Sequence, residues 1–401
     1  MSRPRTSGPT CVSLFTGAGG LDIGLERSGF HTLAAVELNK DCVATLRANQ
    51  ERKLSINPMS GRMYLDSTRL VEGDIGEVCG SDLTRSRPTL LAGGPPCQPF
   101  SSAGSQRGMD DPRGRLFRDF VRLADELQPR FILFENVRGL ATARGPAGRP
   151  GEVLEYVRAE FEDIGYHSRF ALLNTADFGA PQRRVRLFMF ASRDRALPEF
   201  PSPTHGKMAD STTSLKPWVT LRELLEPLQP PEPDDVILPS AKLGEQLKSI
   251  PSGSGLKSPG RSEPTRPSGH WGYKQGTFIA DLSLPARTVT AASTNDWIRM
   301  PNQPLRRLSV RECAAIQGFP ANWTFVGNRA STFKQIGNAV PCILGEVLGR
   351  VLIEAAAKKA TRVQSAPLPR EIQSAISYTT RDDRRNGAVR PRSPRYAERS
   401  A

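Results

Sequence analysis

The chain has 401 residues, enough to bury a sizeable core and, at roughly one domain per ~150 residues, to make two domains. Its 55 Lys and Arg against 41 Asp and Glu leave a net charge of +14, with eleven basic and four acidic residues between Lys358 and Ala401 supplying half of that excess; a polyanionic partner such as nucleic acid is implied. Six cysteines without a Cys-x-x-Cys pair and four scattered histidines argue against a disulfide scaffold or a zinc site, and a polar start with no run near the ~20 apolar residues of a membrane span gives the expectation of a cytosolic, membrane-free protein.

Cys11 to Phe15 reads as a short buried strand, Thr16 to Gly20 as a glycine turn, and Leu21 to Glu26 as the start of a helix. Strand, glycine loop and helix open a nucleotide-binding βαβ unit, although the dinucleotide fingerprint fails because Asp22 stands where a glycine is required. A plain tight turn would look the same. The next strand, Leu33 to Val36, ends in Glu37, and an acidic residue about 20 positions past the glycines can hold a ribose diol, which favours an adenosine-bearing cofactor.

The pattern of an apolar run followed by a polar group then repeats. Leu70 to Gly73 leads to Asp74, Thr89 to Ala92 leads to Cys97, and Phe131 to Phe134 leads to Glu135. In an open parallel sheet such groups gather along the carboxyl edge, where ligands bind. The stretch Gly93-Gly94-Pro95-Pro96-Cys97-Gln98-Pro99-Phe100-Ser101 restricts the backbone on both sides of the sulfur. A thiol fixed on such a turn suits a nucleophile, and a turn with an incidental buried cysteine would read alike.

Ser101 to Arg115 is polar and glycine-containing and reads as a mobile loop able to close over a substrate, whereas Leu116 to Ala124 has helical spacing. Val153 to Phe161 gives a crossover helix, and Arg169 to Leu173 and Arg186 to Ala191 give two closing strands. Between them, Arg183, Arg184 and Arg186 beside Gln182 either grip a phosphate or a base edge or form a solvated strand edge.

Six blocks in order, Phe15-Thr16-Gly17-Ala18-Gly19-Gly20, Gly94-Pro95-Pro96-Cys97-Gln98-Pro99-Phe100-Ser101, Phe134-Glu135-Asn136-Val137, Gln182-Arg183-Arg184-Val185-Arg186, Arg307-Leu308-Ser309-Val310-Arg311-Glu312 and Gln335-Ile336-Gly337-Asn338-Ala339-Val340-Pro341, resemble the motifs of the DNA cytosine-5 methyltransferases. The resemblance runs from residue 11 to about residue 350, apart from the variable stretch before Arg307. It implies an α/β fold, a doubly wound, mostly parallel sheet of the Rossmann-like S-adenosylmethionine-dependent methyltransferase kind, with a smaller, irregular target-recognition domain. The expected division is a catalytic and cofactor domain at 1–195 completed by 325–357, a target-recognition domain and hinge at 196–324, and a basic, disordered tail at 358–401.

By the same resemblance, Cys97 thiolate adds to cytosine carbon 6 while Glu135 hydrogen-bonds N3 and the exocyclic amine, and the activated carbon 5 takes the methyl group of S-adenosylmethionine. A glutamate that donates a proton near neutral pH needs a raised pKa, which the apolar run behind it can supply. Arg184 and Arg186 are expected near the cytosine carbonyl and the adjacent phosphate. Phe15, Gly17, Gly19, Gly20, Glu37, Asp74, Ile75, Leu116 and Asn338 are the expected cofactor contacts. A base inside a duplex is out of reach, so the family flips it out.

From Ser192 to about Asn302 proline and serine rise, and Gln229 to Asp235 reads as an extended linker. Within Arg266 to Arg299, Trp271 and Trp297 are expected in a small core, and Lys274, Gln275 and Arg287 at the DNA, together with Gln98 and Ser101 beside the thiol. Ser309 to Gln317 and Pro341 to Ala357 read as helices. The expected partner is double-stranded DNA, with a cognate restriction endonuclease as a candidate companion, and the expected state is a monomer. A tRNA methyltransferase of the same family would carry a Cys-Phe-Thr tripeptide in the variable region, and none is present there. A non-catalytic DNA-binding partner is disfavoured by the presence of both Cys97 and Glu135, and a nicotinamide dehydrogenase by Asp22.

Overall fold

The computed structural model describes residues 8–56, 61–96, 112–194, 197–207, 214–257, 259–260, 277–292, 294–359 and 364–385. Its first half alternates strand and helix: β1 (Thr10–Leu14), α1 (Gly20–Ser28), β2 (His31–Glu37), α2 (Lys40–Glu51), β3 (Arg69–Glu72), α3 (Gly80–Leu83), β4 (Leu90–Gly93), α4 (Pro112–Leu127), β5 (Phe131–Val137), α5 (Glu152–Asp163), β6 (His167–Asn174) and β7 (Val185–Ser192). The seven strands form one sheet in the order β3-β2-β1-β4-β5-β7-β6, with β7 antiparallel to both neighbours and the other pairs parallel.

Apolar side chains alternate between the two faces, as a doubly covered sheet requires. Leu91, Ile132 and Phe134 face α4 and α5, where Phe117, Phe120, Phe134 and Phe161 meet edge to face at about 6 Å. Leu90, Ala92, Phe131 and Leu133 face the opposite layer with Leu21 and Leu25 of α1. That layer is completed from far along the chain by α10, introduced below, through Leu344, Leu348 and Leu352.

Two expected boundaries shift. α4 begins at Pro112, so residues 112–115 of the expected loop are helical, while 101–111 lie outside the described residues. β5 continues through Glu135 to Val137 because β7 pairs with it over that whole length. α2, whose Asn39 side chain accepts from Cys42 N at 3.1 Å, begins three residues after Glu37.

The second half carries small pieces of regular structure. β8 (His205–Gly206) pairs with β9 (Lys216–Pro217); α6 (Leu221–Leu225) and α7 (Ala241–Lys248) precede a four-stranded sheet of β10 (Ser254–Gly255), β11 (Phe278–Ile279), β12 (Trp297–Ile298) and β13 (Arg306–Arg307); α8 (Val310–Ile316), α9 (Arg329–Asn338) and α10 (Cys342–Ala357) follow. The Ser309 block is a helix start: Ser309 Oγ accepts from Glu312 N (3.3 Å), the Glu312 carboxylate accepts from Ser309 N (2.8 Å), and Arg306 grips both Glu312 oxygens at 2.8 Å. Trp297 is buried with Leu247, Ile250 and Ile279, while Trp271 lies outside the described residues.

The second half also shares a core with the first. Leu221, Leu282, Ile298 and Phe333 pack in one cluster with Ile23 of α1, Leu46 of α2 and Tyr64. Arg329–Ala357 is apolar enough to cross a membrane by length and composition, but it is two helices whose buried residues fill the two cores above.

The segment after Ala357 is not an unpacked tail throughout. Ala366 N donates to Ser168 O at 2.9 Å and Ser168 N to Ser365 Oγ at 3.0 Å, covering the edge strand β6. A further helix, α11 (Arg370–Arg385), then buries Ile372 completely in the core beneath α4 and α5. Basic composition hid an amphipathic helix: Leu368, Ile372 and Ile376 recur at one-turn spacing.

Candidate active site at the carboxyl edge

The chain leaves β1 toward β2 on one side and returns to β4 on the other, so the crevice outside β1 and β4 is the topological switch point. Strand register lines up the groups around it. Leu14 lies opposite Val36 and Gly93, Gly93 opposite Phe134, and Glu37 opposite Glu72. One residue further, Glu37, Phe15, Gly94 and Glu135 therefore stand in a row across the sheet.

On the β1 side, Phe15, Gly17 and Gly19 hold positive φ (55°, 59° and 87°), which folds the glycine turn back over the strand ends. Gly17 N then donates to Glu37 Oε2 at 2.8 Å and Asn39 N to Glu37 Oε1 at 2.7 Å. Both carboxylate oxygens are thus oriented by backbone, and each keeps capacity for a further donor such as a hydroxyl. An open cavity of about 450 Å³ is lined by Glu37, Leu38, Asn39, Lys40 and Asp41. Asp74 caps the next turn through Gly76 N (2.9 Å), beside buried Ile75. Leu116 is half-buried on α4, Gly20 buried at the start of α1, and Asn338 exposed at the end of α9. The sequence reasoning passed over Leu38. It is 64 % exposed beside Glu37 and lines the same cavity.

On the β4 side, Glu135 sits within β5 with its carboxyl mostly buried, and Arg186 Nε lies 3.3 Å from Glu135 Oε1. Burial raises its pKa above the usual carboxylate range, and Arg186 and then Arg184 pull it back in part. Asn136 Nδ2 donates to Pro95 O at 2.9 Å. A Cβ at position 94 would lie 2.7 Å from Glu135 Oε2 and 3.1 Å from the Glu135 carbonyl oxygen, so a side chain there has to displace the carboxyl. Cys97, Gln98 and Ser101 lie outside the described residues; the turn that leads into them is fixed as far as Pro96.

The two arginines differ. Arg186 meets Glu135, whereas Arg184 is 2 % exposed and donates Nη1 to Val289 O and Nη2 to Gly337 O, both at 2.9 Å. Arg287 makes a two-point contact with Asp296 (2.9 and 2.7 Å) and stacks over Phe278, 3.9 Å from the ring centre. Lys274 and Gln275 lie outside the described residues.

Comparison with known proteins gives the family and the fold. The sequence model of the C-5 cytosine-specific DNA methylase family matches residues 10–354. The chain is 33% identical over 356 residues to type II methyltransferase M.NgoPII of Neisseria gonorrhoeae, covering 85% of this chain and 94% of that one. It is 32% identical over 370 residues to M.MthTI of Methanothermobacter thermautotrophicus, covering 84% and 95%. Among solved structures, a putative DNA modification methyltransferase from an Escherichia coli prophage superposes with a TM-score of 0.62 at 22% identity, over 87% of this chain and 100% of that one. DNMT2 of Spodoptera frugiperda superposes with a TM-score of 0.60 at 17% identity, over 86% and 99%.

Proposed function

The chain belongs to the C-5 cytosine-specific DNA methylase family, and from that premise we propose that it methylates cytosine within one specific duplex DNA sequence, using Cys97 as a covalent nucleophile on a base turned out of the helix. The observation that carries the reading is the row at the switch point: a buried carboxyl with a raised pKa at Glu135, one oxygen paired to Arg186, beside a turn tied down at Pro95 two residues before Cys97.

In this reading the Cys97 sulfur supplies the electron pair of a new bond to cytosine carbon 6, and the ring electrons shift to carbon 5. Glu135, whose burial favours the protonated form against the pull of Arg186 and Arg184, donates toward N3 in this reading and so stabilises the charge that the ring develops. Arg186 orients that carboxyl. S-adenosylmethionine, when bound, would supply an electrophilic sulfonium methyl group to carbon 5 and be left as S-adenosylhomocysteine; loss of the carbon 5 proton to a base then re-forms the ring double bond and expels the Cys97 thiolate. The residues fit the cofactor: Glu37 presents a backbone-oriented carboxylate for the ribose hydroxyls and the exposed Leu38 offers apolar surface beside it, and Phe15, Gly17, Gly19, Gly20, Asp74, Ile75, Leu116 and Asn338 are assigned as the further contacts. The region 196–324 is assigned to target recognition, with Lys274, Gln275 and Arg287 as readers and Gln98 and Ser101 near the flipped base. The reading gives a cytoplasmic monomer acting on nucleoid DNA, either as the modification partner of a restriction endonuclease of the same specificity or as a solitary DNA modification enzyme.

The test incubates the protein with methyl-labelled S-adenosylmethionine and either duplex DNA or tRNA and locates the label. Methyl groups on carbon 5 of cytosine at one recurrent DNA sequence are expected; label on tRNA alone overturns the assignment. Duplex containing 5-fluorocytosine should become covalently attached to the peptide holding Cys97, and its failure to do so while ordinary duplex is methylated removes the covalent step.

A further inference from the structure

Residues 181–184, just before β7, run beside residues 286–289 from the second half of the chain. Ala286 N donates to Pro181 O and Arg183 N to Ala286 O, each at 2.8 Å, Thr288 Oγ1 donates to Arg183 O at 3.0 Å, and Val289 N donates to Gln182 Oε1 at 2.8 Å. Two buried glutamines extend this ladder: Gln182 Nε2 donates to Gln317 Oε1 at 2.8 Å, and Gln317 Nε2 donates to the carbonyls of Ile336 (2.6 Å) and Ala339 (3.1 Å). The Arg184 guanidinium closes the group by bridging the Val289 and Gly337 carbonyls. Backbones approach closely enough here to require glycine, since a Cβ at Gly337 would lie 2.2 Å from the Thr290 carbonyl carbon. Four segments far apart in sequence thus meet in one buried polar joint, and two residues along β7 is Arg186, paired with Glu135.

We infer that Arg184, together with Gln182 and Gln317, is a positioning group that fixes the 286–290 segment of the second half against the strand carrying Arg186, and does not itself touch the base. Three physical points carry this. A guanidinium that is 2 % exposed has no open face toward a substrate. Among the described residues its bound partners are neutral carbonyls and no carboxylate neutralises it directly, an arrangement that fixes geometry at a desolvation cost. The amide pair and the arginine share the segment that leads to Val289, so a loss at either loosens the same contact. The inference rests on the reading of Glu135 as the group that meets the cytosine.

The experiment compares wild type, Arg184→Lys, Gln317→Met and the double variant in single-turnover methylation of cognate duplex, alongside DNA dissociation constants and thermal melts. Each single variant should lower the methyl-transfer rate about tenfold or more, with the DNA dissociation constant held within about threefold. The double variant should be slower than the worse single by no more than about threefold, because one unit has already been lost. A transfer rate within about twofold of wild type for either single variant overturns the inference, as do losses that multiply in the double or a loss confined to DNA affinity. If Arg184→Lys does not melt cooperatively, the milder Thr288→Val removes one rung of the same ladder and should lower transfer several-fold with DNA affinity kept; no change in transfer overturns the inference. A wild-type protein inactive on every DNA would instead remove the proposed function, which the wild-type arm reports separately.

Discussion

Asn136 Nδ2 and the carbonyl of Pro95 are 2.9 Å apart, so the strand that presents Glu135 also holds the turn at Pro95, two residues before the proposed nucleophile Cys97. The Asn136 side chain is fixed in turn, because its Oδ1 accepts from Val137 N at 2.9 Å.

Asn136→Ala leaves the Pro95 carbonyl without that donor in a buried setting, at a cost of roughly 1–3 kcal/mol. Much of that cost should appear as misplacement of the turn. The rate of covalent attachment to 5-fluorocytosine duplex is therefore expected to fall about tenfold to a hundredfold, with cofactor affinity unchanged. Denaturing gels of the trapped complex give the rate.

Gly94→Ala tests the same joint from the other side. Its Cβ would lie 2.7 Å from Glu135 Oε2 and 3.1 Å from the Glu135 carbonyl oxygen, and so has to displace the carboxyl. Methyl transfer should fall by about a hundredfold or more, while calorimetric titration with S-adenosylhomocysteine gives an unchanged dissociation constant.

How far the sequence discloses these relationships depends on their range. Apolar runs such as Leu90 to Ala92 and Phe131 to Phe134 announce buried strands, and the polar groups that follow them announce the ligand edge, because both signals are local. The block Phe134 to Val137 then indicates Glu135 as a site residue, and the spacing from the glycine turn indicates Glu37. Contacts between distant segments leave no local trace: that Gly94 faces Glu135, or that Arg184 is enclosed by Val289 and Gly337, follows only from strand order. Arg184 and Arg186 look alike in sequence, two positions apart, yet β7 sends one to Glu135 and the other into the joint. Leu38 gave no signal because an exposed leucine is ordinary until the cavity beside it is seen.

Asp22, the residue that breaks the dinucleotide fingerprint, is fully buried at the start of α1. Desolvation raises its pKa from 3.8 to about 6, outweighing the nearby Ser13 hydroxyl. A carboxyl raised in the folded state binds more protons folded than unfolded between those values, so its contribution to stability declines as pH rises from about 4 to about 6 and is fully lost above. Asp22→Asn removes the ionisation and should be more stable than wild type at pH ~8, on the order of 3 kcal/mol, with the advantage vanishing toward pH ~4. Urea melts of the cofactor-free protein across that range test the sign and the window.

The last element among the described residues, α11, lies beyond the residue 354 at which the family match ends. It nevertheless completes the catalytic core. Ile372 has no exposed surface, Ile376 packs beside it, and a Cβ at Gly151, just before α5, would lie 2.7 Å from Ile376. The chain leading into it supplies partners for both Ser168 N and Ser168 O on the edge strand, and Arg158 anchors Ala366 O at 2.9 Å. Ile372→Ala should therefore lower the free energy of unfolding by about 2–5 kcal/mol, the range for a large aliphatic residue emptied from a packed core, where a residue in an unpacked tail would change it by less than about 0.5 kcal/mol. Deleting everything after Lys358 should do more, since it also uncovers β6, and the uncovered edge should make the protein aggregate in a concentration-dependent way. Urea denaturation of the point variant and light scattering of the truncated one decide whether the basic C-terminal region is an integral part of the fold.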